Sequence, residues 1–109
     1  MADMAQTEFT FDLPIGFLDE TGASHVNGVM RLATSADEIL PLRDPRVVEN
    51  PAYKDVIILA RVITRLGNLS TIGPEEIEGL YLRDLNYLRA LYREINGLPP
   101  THPVAPPVE

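Results

Sequence analysis

The sequence predicts an α+β fold: an N-terminal β-hairpin packed on a small bundle of about four helices. Three observations carry that prediction. Apolar residues alternate strictly through residues 9–17, the period of a half-buried strand. Residues 51–67 instead repeat apolar positions at helical spacing between a cap and a glycine. Leu85, Leu88, Leu91, Tyr92 and Ile95 form a second helical stripe that ends before Gly97.

Residues 1–7 are polar and are expected to form a loose leader to a domain spanning 8–97. Phe9, Phe11, Leu13, Ile15 and Phe17 then share one face, which places all three phenylalanines inward as core. Pro14 cannot donate to a ladder, so this strand is expected at an edge or a bulge. Asp19-Glu20-Thr21-Gly22-Ala23 reads as a turn, with Gly22 available for positive φ. Residues 24–33 read as the returning strand. Val26, Gly28, Met30 and Leu32 fall on one face, and His25, Asn27, Val29 and Arg31 on the other. Asn27-Gly28 also has the composition of a second turn or a bulge. Two strands alone are not stable in water, so the hairpin must lean on helices.

Ser35 and Glu38 have capping-box spacing, and Asp37 with Glu38 suits the positive end of a helix dipole. Pro41 falls within two turns and either kinks that helix or ends it near Leu40. Leu42-Arg43-Asp44-Pro45-Arg46 reads as a polar link, and Val47-Val48 as a short turn touching the core. Asn50 then caps the central helix with Pro51 at its first position. Its apolar residues cover most of the circumference, as in a helix buried on several sides. Gly67 is expected to close it in the left-handed conformation. Pro74 opens a third helix carrying Glu75, Glu76 and Glu78, which Gly79 weakens. The last helix starts near Arg83-Asp84. Residues 98–109 are proline-rich and are expected to be an extended tail outside the core.

Composition narrows the function. The chain has 109 residues, 45% apolar and 23% charged, as a globular protein does. It has no cysteine, which removes disulfides and thiolate metal sites and fits a reducing, cytoplasmic setting. The net charge of −7 argues against a nucleic-acid partner, which calls for a basic face. No stretch is apolar for long enough to cross a membrane, and no basic segment followed by an apolar one marks a leader. His25 and His102 are the only histidines, and neither has a second ligand at metal-like spacing. Ser24, Ser35 and Ser70 lack a nucleophile context, and the glutamates near Pro74 are explained by the helix dipole. No enzyme chemistry and no cofactor are expected.

The polar feature that stands out is a set of arginines at one-turn spacing. Arg61 and Arg65 are four apart on the central helix, and Arg89 and Arg93 repeat that spacing on the last. They read either as solvated faces paired with Asp55, Asp84 and Glu94, or as a groove for an acidic helical partner. These four residues are the partner-binding candidates.

The order of features resembles the tail assembly chaperones of Mu-like contractile-tail phages and related contractile injection systems. The resemblance rests on Phe11-Asp12-Leu13-Pro14-Ile15 and on Gly28-Val29-Met30-Arg31-Leu32. Thr34-Ser35-Ala36-Asp37-Glu38 follows, then a long apolar helix, then Asp84-Leu85-Asn86-Tyr87-Leu88. It implies a non-enzymatic role, with a tape-measure protein and a tail-tube protein as partners. Alternative expectations are a structural adaptor retained in the particle or a small dimeric interaction module. A helix-turn-helix regulator using Arg83, Arg89 and Arg93 is disfavoured by the charge.

Overall fold

A computed structural model describes residues 6–100. Residues 1–5 of the polar leader and 101–109 of the proline-rich tail lie outside the described residues. The fold is α+β, with five α-helices among the described residues around an antiparallel sheet of three strands in the order β1-β2-β3. Strands β1 (Glu8–Leu18) and β2 (Ser24–Arg31) form the hairpin that the alternation predicts. Met30 and Phe11 are buried on its inner face.

The hairpin departs from simple alternation at its middle. Asp12 pairs with Asn27 and Phe17 with His25, so residues 13–16 face Val26 alone. Pro14 lies inside this bulge, where its missing N–H breaks no ladder bond. The bulge also changes which side chains point inward. Leu13 is buried, but Ile15 is 45% exposed and Phe9 and Phe17 are only half-buried. The expectation of five inward apolar residues is therefore corrected at Ile15.

After the hairpin, α1 (Ser35–Ile39) ends where Pro41 requires, and a 3-10 turn covers Leu40–Arg43. The cap is one residue earlier than expected. Thr34, not Ser35, is the N-cap, and its backbone N–H donates to the Asp37 carboxylate at 2.8 Å. The Asp44 carboxylate accepts from the Arg46 N–H at 2.8 Å and caps α2 (Pro45–Glu49). Val47 from that helix is buried, whereas Val48 is exposed and does not join the core. The Asn50 side chain accepts from the Ala52 N–H, as expected, and opens a 3-10 turn over Pro51–Tyr53.

The central helix is shorter than its apolar pattern suggests. Helix α3 runs over Lys54–Val62, and Ile63–Leu66 is a strand, β3, antiparallel to β2. Val62, Ile63 and Thr64 are all β-branched, a local preference for extended backbone that β2 satisfies with a ladder. The Gly67 N–H donates to the Asn27 carbonyl at 2.7 Å. Gly67 does adopt positive φ, at 56°, but it closes a strand and not a helix. Asn27-Gly28 is neither a turn nor the site of the hairpin bulge. Gly28 is where strands approach: a Cβ there would lie 2.6 Å from the Arg65 carbonyl oxygen and 2.3 Å from the Phe11 ring.

Helix α4 (Pro74–Glu78) ends at Gly79, and α5 (Leu82–Ile95) is the longest helix among the described residues. Leu88 and Tyr92 of α5 pack with Ile58, Leu59, Val62, Leu66 and Ile77 beneath the sheet's inner face. Phe11 meets Tyr87 edge-on, with ring centroids 6.5 Å apart. The buried face of α5 leaves Leu82, Asn86, Ala90 and Glu94 on its outer side.

Candidate functional site

The four candidate arginines do not form one surface. Because α3 stops at Val62, Arg61 and Arg65 share no helical face, and the expected one-turn pair is corrected. Arg61 donates from Nε to Asp37 Oδ1 at 2.8 Å. Arg31 donates to both oxygens of the same carboxylate, at 2.7 and 3.0 Å. Arg31 also reaches the Arg61 carbonyl at 3.1 Å, so β2, α1 and α3 meet at this junction. Asp37 is 1% exposed. The Arg31 hydrogen bonds hold its carboxyl far below the usual range; burial opposes this, and the Thr34 backbone and Arg61 reinforce it. The same contact raises the Arg31 guanidinium. Arg61 is thus committed to holding the fold.

Arg65 lies on β3 opposite Val29, exposed on the sheet's outer face. It makes no ion pair among the described residues. Arg89 and Arg93 do stand one turn apart on α5, as the spacing requires. Arg89 Nε lies 3.0 Å from Asp55 Oδ2 but is buried without hydrogen-bond geometry. Arg93 Nε donates to the Pro99 carbonyl. Asn86, Arg89, Ala90, Arg93, Leu98 and Pro100 line an open groove of about 590 Å³ along the outer side of α5.

Beside Arg93, Tyr92 donates its hydroxyl to Glu38 Oε2 at 2.6 Å, and Lys54 pairs with Glu38 at 3.0 Å. Tyr92 is the main cause of a lowered Glu38 carboxyl, with Lys54 and Arg93 adding to it. Burial, then the neighbouring Glu38, pushes the Tyr92 hydroxyl well up.

Two further ionisable side chains are buried. Asp84, in the first turn of α5, is 0% exposed and accepts from the Ile15 and Gly16 N–H groups, each at 2.8 Å. It replaces the ladder partners that the β1 bulge takes away. His25 is 7% exposed. Its Nδ1 accepts from the Asn68 N–H at 3.1 Å, so the proton sits on Nε2, which donates to Asp19 Oδ2 at 2.7 Å. That contact, with the Thr21 hydroxyl, holds the Asp19 carboxyl far below its usual range. The carboxyl groups of Asp37 and Asp84 are thus turned onto arginine and backbone partners. No group of three metal-ligating side chains is assembled among the described residues.

What sequence reasoning passed over is apolar. Ile39, Leu40, Leu42 and Val48 are all exposed, Val48 by 70%, along the short-helix connection between Ser35 and Glu49. Ile15, Tyr81 and Leu82 form a second exposed set, Tyr81 and Leu82 at the start of α5 and Ile15 on the bulge that Asp84 anchors. The first set was legible only as a count of large apolar residues. Prolines at 41 and 45 interrupt it, so no period assigns a face. No helix among the described residues is long and apolar enough to cross a membrane. No protein-family model matches the chain, and neither a curated protein nor a solved structure matches it.

Proposed function

We propose that this protein is a non-enzymatic binding protein, an assembly chaperone or accessory protein of a phage-like contractile tail or injection system. In this reading it acts in the bacterial cytoplasm and holds tape-measure or tail-tube proteins before they assemble. The observation that carries the binding role is the exposed set Ile39, Leu40, Leu42 and Val48. Four large apolar side chains within ten residues are costly to leave in water without a partner. They sit on two one-turn helices and a 3-10 turn braced by Pro41 and Pro45, so the surface is held in shape before binding. Arg43 lies within this set, whereas Arg46 is paired with the Asp44 carboxylate at 2.9 Å, so the surface is mainly apolar. The tail-assembly setting is supported by the order of sequence features alone.

The test is co-expression with the tape-measure and tail-tube proteins encoded beside it, followed by co-purification. The double variant Leu42→Ser with Val48→Ser should fold and lose the partner. Absence of association by the unaltered protein with either partner overturns the reading. An adaptor retained in the particle would present a similar apolar surface when isolated. Mass spectrometry of purified particles separates the two: a chaperone is absent, and an adaptor is present at fixed copy number.

A further inference from the structure

Strand β1 forms one edge of the sheet. The Leu32 N–H donates to the Thr7 carbonyl at 2.8 Å, which fixes the phase of the ladder. Bonded and non-bonded pairs alternate along antiparallel strands, so Phe9 bonds to Met30 and Phe11 to Gly28. The backbone N–H and C=O groups of Glu8, Thr10 and Asp12 therefore point away from β2. The Glu8 carbonyl accepts from the exposed Gln6 side chain at 3.2 Å. Beyond Asp12 the bulge begins, and Asp84 takes up the Ile15 and Gly16 N–H groups. Over residues 8–12 no strand pairs with this edge among the described residues. The free run is about 14 Å long.

We propose that this edge docks an extended segment of another protein in which basic and apolar residues alternate. The proposal is independent of the tail-assembly reading. Added as a fourth strand, such a segment bonds to the outward groups of Thr10 and Asp12. Side chains select it by charge. Glu8, Thr10 and Asp12 are exposed on the outer face of the sheet. Neither carboxylate has a cationic partner among the described residues. Arg31, across the ladder from Glu8, spends its guanidinium on both oxygens of Asp37. Asn27, across from Asp12, supplies only a neutral amide. Residues 1–30 carry no Lys or Arg. Lys or Arg on the added strand would face Glu8 and Asp12 at cross-strand distance. The residue opposite Phe9 would lie on the inner side. Phe9 is half-buried there and stands outside the core cluster, so an apolar neighbour would cover it.

A second copy of β1 suits the edge less well. Pairing about a two-fold axis at Thr10 sets Glu8 of one copy against Asp12 of the other, twice. Like charges directly opposite each other repel. Exposed charges of this kind guard a free edge against its own copies. The same charges admit a basic strand, so the edge discriminates between partners by sign.

The test is amide hydrogen exchange on the full chain, with a synthetic peptide of alternating lysine and valine as the probe. In the isolated protein the Thr10 and Asp12 amides should exchange freely, while the Phe9 and Phe11 amides are protected. Excess peptide should slow Thr10 and Asp12 by about tenfold or more and leave Thr64 on β3 unchanged. A peptide of alternating glutamate and valine should leave Thr10 and Asp12 fast. In the double variant Glu8→Lys with Asp12→Lys the preference should reverse, with Phe9 and Phe11 protection reporting an intact hairpin. Equal slowing by both peptides overturns the proposal. So does slow exchange at Thr10 and Asp12 before any peptide is added, which means the edge is already occupied. Protection that rises with protein concentration alone makes a second copy the occupant and overturns it too. Lysine–valine peptide that leaves both amides exchanging freely is either unbound or held by net charge alone, and the proposal fails.

Discussion

Asp37 and Asp84 are both almost wholly buried carboxyl groups, yet they are satisfied in different ways. Asp84 faces only backbone donors, Ile15 N–H and Gly16 N–H. Replacing it with alanine strands two N–H groups in the interior, which should cost about 2–4 kcal/mol in urea unfolding. Asp84→Asn keeps one acceptor oxygen and should cost less. Asp37 faces two guanidiniums that are themselves about a third exposed. Asp37→Asn should therefore cost about 2–3 kcal/mol, below the full penalty for a deeply buried pair. The sign of the pH effect follows from the lowered carboxyl. Its stabilisation is complete above the ordinary value of 3.8 and is lost as pH falls below it. Glu38 and Asp19 shift in the same direction. Stability should fall steeply below about pH 4, and Asp37→Asn should flatten that slope in acid titrations followed by circular dichroism. Sequence showed Asp37 as a helix-start acid; nothing local revealed that two arginines from 6 and 24 residues away would converge on it.

Among the elements, the short strand β3 changes the most. The β-branching at residues 62–64 was visible, but it lay inside a longer helical pattern with a good cap and a closing glycine. The helical period was satisfied locally by Val56, Leu59, Ala60 and Ile63, so sequence alone favoured continuing the helix. The free ladder groups of β2 decide otherwise, because a third strand satisfies them and a helix cannot. The Gly67 amide, bonded to Asn27, should exchange with solvent slowly in native-state hydrogen exchange. A helix-end glycine would exchange within the fast, fraying class. Arg61→Ala should destabilise by about 1–2 kcal/mol, whereas Arg65→Ala should stay within about 0.5 kcal/mol, by chemical unfolding. Gly28→Ala tests the strand approach. Its Cβ would meet the Arg65 backbone, which cannot move without the sheet, and should cost about 1–3 kcal/mol. The caps, by contrast, were local: Asn50, Pro74 and Gly97 act within one turn of their own position, and each was readable.

At the scale of the molecule, the sheet and α5 enclose the core, while the short-helix connection faces outward. That division puts Ile39, Leu40, Leu42 and Val48 in solvent even though the same chain buries Val47 beside them. Leu42→Ser with Val48→Ser should leave the unfolding midpoint nearly unchanged, because neither side chain is in the core. It should raise solubility and abolish partner capture, as read by co-purification. The α5 groove is a separate surface, so a variant there should leave that capture intact. The sequence by itself determined the α+β class, the hairpin with its turn at residues 19–23, and the start and end of α5. These follow from period and from capping, which act over a few residues. The tertiary structure alone decided the third strand, the Arg31–Asp37–Arg61 junction, the Asp84 anchor and the exposed apolar surface. Each of those depends on groups far apart in the chain meeting, and on backbone donors and acceptors that a distant segment must satisfy.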